Sequence, residues 1–471
     1  MLEPYQVEHN SQNIYYRSIV GAAEAGSRIR LGIRIRSYEP VRQVLVRLWQ
    51  DRTGERLIPL ETKDTGGEQR FYTCWFELPD YGCLLWYYFI ITMADETCFY
   101  GNNEEMLGGV GTLSNTAPAS YQITIYNKGA HTPDWFKNAV MYQIFPDRFA
   151  RSGDTIVRKK GAVIRADWTD DPMYLKDPDT KEIIAYDFFG GNLRGVMEKL
   201  DYLKSLGISC IYFNPVFESE SNHHYDTGDY HKIDPVLGDI EDFRALVTAA
   251  EERGIRIILD GVFSHTGSNS IYFNRQHQYS SLGAYQSKES PYYSWYHFRN
   301  YPNEYDCWWD FDTLPNVNET DPAYMDFVIT GKDSVLHHWM NEGIAGWRLD
   351  VIDELPPTFS KTFFAELKKR NPDAVMIGEV WEDASNKVAY GTPREYLSGS
   401  EMDSAMNYPL RTMMLDFLTG AVDGRQTARR LASQIENYPK ENLYAMMNLI
   451  GSHDVQRAIT VFAGVPYYEG M

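Results

Sequence analysis

Between Ala139 and Gly451 the chain alternates short, near-continuous apolar runs with stretches of helical periodicity, and that alternation constrains the fold more than any other feature. The runs are AVMYQIF (139–145), ISCIYFNP (208–215), IRIILD (255–260), IAGWRLD (344–350), AVMIGEV (374–380), DSAMNY (403–408) and AMMNLIG (445–451). Apolar on both faces, they suit strands of a parallel sheet covered on both sides. One helix is expected at 192–206, with Asn192 as N-cap, Leu193, Val196, Met197, Leu200 and Leu203 on one stripe, and Gly207 as the stop. Others are expected around 240–253, 333–342 and 358–370. Every run carries polar or charged residues at or just past its C-terminal end, and a (β/α)8 barrel gathers its active site at those strand ends. The expected fold class is α/β, a (β/α)8 TIM-type barrel. The interval after Asp260 is too long for one crossover, so about 265–330 should form an inserted subdomain after the third strand. Seven strands do not close such a barrel, and only about twenty residues follow the seventh. The barrel is therefore expected to be C-terminally truncated, with strand 8 and a C-terminal domain missing.

The first 130 residues have a different texture. RIRLGIRIR (28–36) alternates Ile29, Leu31, Ile33 and Ile35 with arginines, which is half-buried strand patterning. VLVRLW (44–49), RFYTCWFEL (70–78) and LWYYFIITM (85–93) follow at turn-separated intervals, so 1–130 should be an all-β sandwich preceding a catalytic region at 131–471. Residues 101–117 and 129–133 read as linker.

A formal charge of −20 argues against nucleic acid or an anionic membrane surface, where Lys and Arg patches supply affinity. No apolar run is long enough to span a bilayer, and the N-terminus carries no secretory pattern. Five scattered cysteines without C-x-x-C spacing fit a reducing compartment, so a cytoplasmic location is expected.

Arg348 and Asp350 share one face of an otherwise apolar strand. Alone, such a pair is most simply a structural ion pair. It has company: Asp260 and His265 (DGVFSH), Glu379 (GEVW), and His453 with Asp454 stand at other strand ends. Paired carboxylates flanked by cations suit glycosidic bond cleavage, in which one carboxylate is nucleophile and a protonated one is general acid. Arg348 should hold Asp350 ionised, while the apolar neighbours of Glu379 should raise its pKa. Asp454 and the histidines could bind sugar hydroxyls and stabilise positive charge. A metal site is the lesser alternative, since no H-E-x-x-H or comparable spacing occurs.

DGVFSH, GWRLDVIDE, IGEVW and GSHDVQR, in that order at fitting strand ends, resemble the four motifs of the α-amylase family (glycoside hydrolase family 13) over about 135–460. The resemblance implies Asp350 as nucleophile, Glu379 as acid/base and Asp454 as transition-state stabiliser. It implies substrate positioning by Arg348, His265 and His453, with Asp260 in support. NHHYDT looks like the family loop whose tyrosine stacks on the sugar, which assigns Tyr225 and His223, and LPNVN (314–318) resembles the motif closing the inserted subdomain. The β-rich N-terminal region and Glu354 look like the neopullulanase, cyclomaltodextrinase and maltogenic amylase group, with amylopullulanase-like enzymes equally close. The implied substrates are malto-oligosaccharides, cyclodextrins or pullulan, and a homodimer through the N-terminal domain is implied as well.

The sequence departs from the family at Ser264, Ile352-Asp353 and Glu382. Its loop from Phe149 to Asp154 lacks the Asn/Asp series that binds calcium in many relatives, so no cofactor is required and the calcium pattern is weak. The aromatic stretch 292–309 should form both a local core and a sugar-stacking wall, with Trp308 and Trp309 as the expected contacts. Two other readings stay open: a non-catalytic carbohydrate-binding protein with an incomplete barrel, and a transferase or phosphorylase using the same site.

Overall fold

The alternation of Ile29, Leu31, Ile33 and Ile35 places all four inside strand Arg28–Arg36, with the arginines toward the outer face. In the computed structural model, which describes residues 2–3, 6–64, 68–153, 157, 159, 161–176 and 183–464, this strand pairs antiparallel with Gln69–Glu77 in a four-stranded sheet. A second, seven-stranded sheet contains Gln43–Gln50, Cys83–Thr92 and Tyr121–Tyr126. Val44, Val46, Tyr87, Phe89, Ile91, Ile123 and Ile125 fill the core between the sheets. Part of the expected linker is sheet: Thr112–Ser114 pairs with Thr97–Gly101. Its polar composition marked a turn-rich segment, but edge strands need only one partner.

The chain forms two compact units, Met1–Thr132 together with Trp381–Met471, and Pro133–Val380. In the first, the C-terminal segment supplies helices Tyr408–Leu418, Gly424–Asn437 and Lys440–Ala445. Arg17, fully buried, reaches Glu436 at 3.0 Å and ties the two segments of this unit together. The expected strand at 403–408 is reduced to Ser404–Ala405, because Asn407 caps a helix that Pro409 helps start. The expected strand at 445–451 is corrected: helix Lys440–Ala445 runs into it, and Met447 makes only an isolated parallel bridge to Met406. Apolar runs become strands only where a ladder continues, and here one rung forms.

The second unit holds five parallel strands in the order Met141–Ile144, Cys210–Phe213, Arg256–Gly261, Gly346–Leu349, Val375–Gly378. All but the first are buried throughout, save Arg256. Helices Ile240–Glu251, Val335–Asn341 and Pro357–Arg370 form where periodicity predicts them, the first through an Asp239/Asp242 capping box. The expected helix at 192–206 splits at Lys199 into Leu193–Glu198 and Leu200–Ser205. Gly346 permits a close strand approach, since a Cβ there would lie 2.1 Å from the Val375 carbonyl oxygen. Between the third and fourth strands an irregular segment builds its own aromatic core, with Trp295 packed on Tyr272 at 5.3 Å and on Tyr324 and Phe327 at 5.0 Å.

Candidate active site

Parallel pairing sets Asp260 directly opposite Arg348, and Leu349 opposite Gly378, so the ends of the third, fourth and fifth strands converge. Arg348 is completely buried. Its Nη1 donates to Asp260 at 3.0 and 3.1 Å and to Asp350 Oδ1 at 2.6 Å, while Nη2 stands 3.0 Å from Glu379 Oε2. That last contact has ion-pair distance without hydrogen-bond geometry. The same Oε2 instead accepts the Val351 backbone N–H at 2.8 Å. To present that N–H, Val351 adopts a φ of +39°, a strained conformation for a β-branched residue and one found where function over-determines the backbone.

One guanidinium therefore faces three buried carboxyls. If all three were ionised the cluster would carry two uncompensated negative charges, so burial favours retention of a proton. Burial pushes Asp350 well above the ordinary carboxylate range against the pull of Arg348, and the charges of Glu379 and Asp260 add to the rise. This corrects the expectation that Arg348 would hold Asp350 ionised and low: burial outweighs an arginine that is shared among three acids. Asp260 is likewise raised by burial and pulled down by Arg348 and by the hydroxyls of Tyr212 and Tyr225.

Tyr225 Oη donates to Asp260 Oδ2 at 2.8 Å and accepts from Asn214 Nδ2 at 3.2 Å. His223 Nδ1 accepts the Tyr225 backbone N–H at 3.1 Å, which places the proton of a neutral ring on Nε2. Burial lowers His223, and lowers His265 to about 4, so both imidazoles are neutral at physiological pH. His265 lies 3.0 Å from Ser264 Oγ through Nδ1 and 3.1 Å from the Tyr225 carbonyl oxygen through Nε2. At the other side of His265 the Trp308 ring sits at 5.3 Å and stacks on Trp309. Both indole N–H groups donate to Glu354, at 2.8 and 3.1 Å, leaving Trp309 72% exposed with a broad face outward.

Asp454 and His453 belong to the other unit. There His453 Nε2 lies 3.2 Å from Asp454 Oδ1, and Tyr408 Oη donates to Asp454 Oδ2 at 3.4 Å. Tyr212, Asn214 and Gln143 were missed as site residues. Their signal was available: YQIF and YFNP place polar side chains at the ends of the first two strands. For calcium, Asp154 lies outside the described residues, and among the described residues no three His, Cys, Asp or Glu side chains are placed to hold a metal. Asp234, on the neighbouring loop, is instead met by the Lys159 ammonium at 2.6 Å.

Parallel strands that gather buried acids at their C-terminal ends have the site layout of barrel enzymes, and paired carboxylates there suit glycosidic bond cleavage. The description "Alpha amylase, catalytic domain" matches residues 143–468, and the chain belongs to the α-amylase family, glycoside hydrolase family 13. An amylopullulanase of Thermoanaerobacterium saccharolyticum is 37% identical across 97% of this chain and 38% of its own length. Neopullulanase 2 of Thermoactinomyces vulgaris is 35% identical across 71% of this chain and 53% of its own. The chain thus spans about a third to a half of these curated relatives. A cyclomaltodextrinase of known structure shares 28% identity at a TM-score of 0.61, over 98% of this chain and 74% of that one. Among the described residues no helix is long and apolar enough to cross a membrane.

Proposed function

We propose that this chain cleaves α-glucosidic bonds in malto-oligosaccharides, cyclodextrins or pullulan with retention at the anomeric carbon. The observation that carries this reading is the Arg348-centred cluster joining Asp350, Glu379 and Asp260. Glu379 gives its proton to the glycosidic oxygen as that oxygen leaves, and the ionised form of Asp350, which Arg348 favours against burial, bonds to the anomeric carbon. Oε2 of Glu379 already accepts from Val351, so the transferable proton is assigned to Oε1. Water then attacks the glycosyl-enzyme, Glu379 takes the water's proton, and Asp350 departs. His265 and the Nε2–H of His223 bind sugar hydroxyls, with Tyr225 under the ring. In this reading residues 1–130 are an N-terminal β-sandwich domain that supports a homodimer, and 131–471 are the catalytic region with its insert at about 265–330.

Transfer to a second sugar is favoured by one observation, the exposed Trp309 face backed by Trp308 and anchored on Glu354. Such a platform would hold an acceptor glucosyl unit against competing water. Proton NMR of fresh products from maltotriose, β-cyclodextrin and pullulan tests both. New α-anomer supports retention, and longer products at high maltose support transfer. Initial β-anomer, or binding without turnover, would refute the mechanism.

A further inference from the structure

The geometry points to Tyr212 as a positioning residue of this reaction, one that keeps Asp260 ionised and oriented so that Arg348 is presented to Asp350 and Glu379. The inference rests on the proposed roles of Asp350 and Glu379.

Tyr212 lies on strand Cys210–Phe213 and is completely buried, so it acts through its neighbours rather than on substrate. Its Oη donates to Asp260 Oδ2 at 2.5 Å, the same oxygen that accepts from Tyr225 at 2.8 Å. Its ring also lies beneath the guanidinium, with Arg348 Cζ 5.8 Å from the ring centroid. One phenol thus touches both members of the Asp260–Arg348 pair. Register explains how: Tyr212 pairs with Ile258, two residues before Asp260 and on the same face, and Asp260 pairs with Arg348. The groups facing Asp260 are Tyr212 from the second strand, Tyr225 from the loop after it, and Arg348 with Asp350 from the fourth strand; Glu379 reaches it through Arg348. A belt of contacts continues outward, from Tyr225 to Asn214 and from Asn214 Oδ1 to Gln143 Nε2 at 2.9 Å.

A carboxylate oxygen that accepts two hydroxyls beside a guanidinium is held in its charged form by those donors. Buried as Asp260 is, losing one donor favours its protonation. A protonated Asp260 no longer anchors Nη1, and Arg348 then shifts toward Asp350 and Glu379. Activity falls wherever Asp260 carries a proton, which raises the acid limb of the rate profile.

The test is Tyr212→Phe in this chain, assayed with an aryl α-maltoside and with β-cyclodextrin between pH 4 and 9, beside Tyr225→Phe and Asp350→Asn. The expected result is a kcat lower by about 10- to 100-fold with KM within twofold. The acid limb should move up by about one pH unit or more. Tyr225→Phe should change KM as well, because that ring meets the sugar. A thermal midpoint close to wild type shows that the loss is not one of folding. If kcat and both limbs of Tyr212→Phe match wild type while Asp350→Asn is inactive, the positioning role is overturned and the catalytic pair stands. If Asp350→Asn turns over like wild type, the catalytic pair itself is wrong, and this inference falls with it.

Discussion

At the scale of single residues the site trades stability for chemistry. Asp350 is an acid whose folded-state pKa is raised above its ordinary value, chiefly by burial. Such a group stabilises the fold below its ordinary pKa, and that contribution is lost as pH rises toward the folded value. At neutral pH an uncharged isostere removes the penalty. Asp350→Asn should therefore lose turnover by more than about 10³-fold and yet melt a few degrees higher at pH 7, read by calorimetry. A lower midpoint would show that the contact with Arg348 outweighs burial. Glu379→Gln should lose natural substrates far more than glycosyl fluorides, whose departure needs no proton. Equal losses on both substrate types, in steady-state kinetics, would refute the acid role.

At the scale of elements, the N-terminal sandwich carries a pH dependence of its own. His9 is fully buried between the Gly32 carbonyl oxygen at 2.8 Å and Tyr87 Oη at 2.9 Å. Burial lowers its pKa from 6.5 to about 3, with the Gly32 bond opposing and the Arg17 charge assisting. The folded state thus binds fewer protons than the unfolded chain between those values, and stability falls as pH drops from about 6.5 toward 3. His9→Gln should flatten the slope of urea midpoint against pH over that window, followed by Trp fluorescence. An unchanged slope would place the acid sensitivity elsewhere. The insert between the third and fourth strands divides its aromatics by a similar logic. Trp295 serves the local core, whereas part-buried Trp308 and exposed Trp309 both hang from Glu354.

At the scale of the whole molecule, Arg17 and Glu436 join sequence segments 419 residues apart within one unit. Both are almost wholly buried, and Glu436 also accepts from Gln12 at 3.0 Å. Removing one charge leaves the other desolvated and unpaired, so Glu436→Gln should destabilise this unit by about 3 kcal/mol. The double variant Arg17→Met with Glu436→Leu should recover much of that loss. Calorimetric melting of the three proteins checks it, and additive losses in the double variant would show that the pair is not coupled.

What the sequence determined by itself was periodic and local. Alternation placed Arg28–Arg36 as a half-buried strand, apolar runs located the five parallel strands, and Asn192 and Gly207 marked helix limits. Motif order located Asp350, Glu379 and Arg348, because side chains at strand ends need only the strand direction to be known. Tertiary structure alone decided the rest. The collapse of 445–451 to one bridge depended on which ladder partners continue. The rise of Asp350 depended first on its burial and then on the acids that share its arginine, neither of which a single strand contains. Tyr212 entered the site only when register set Asp260 between it and Arg348. Charge balance and hydrogen bonding are sums over neighbours from separate strands, and folding decides which neighbours meet.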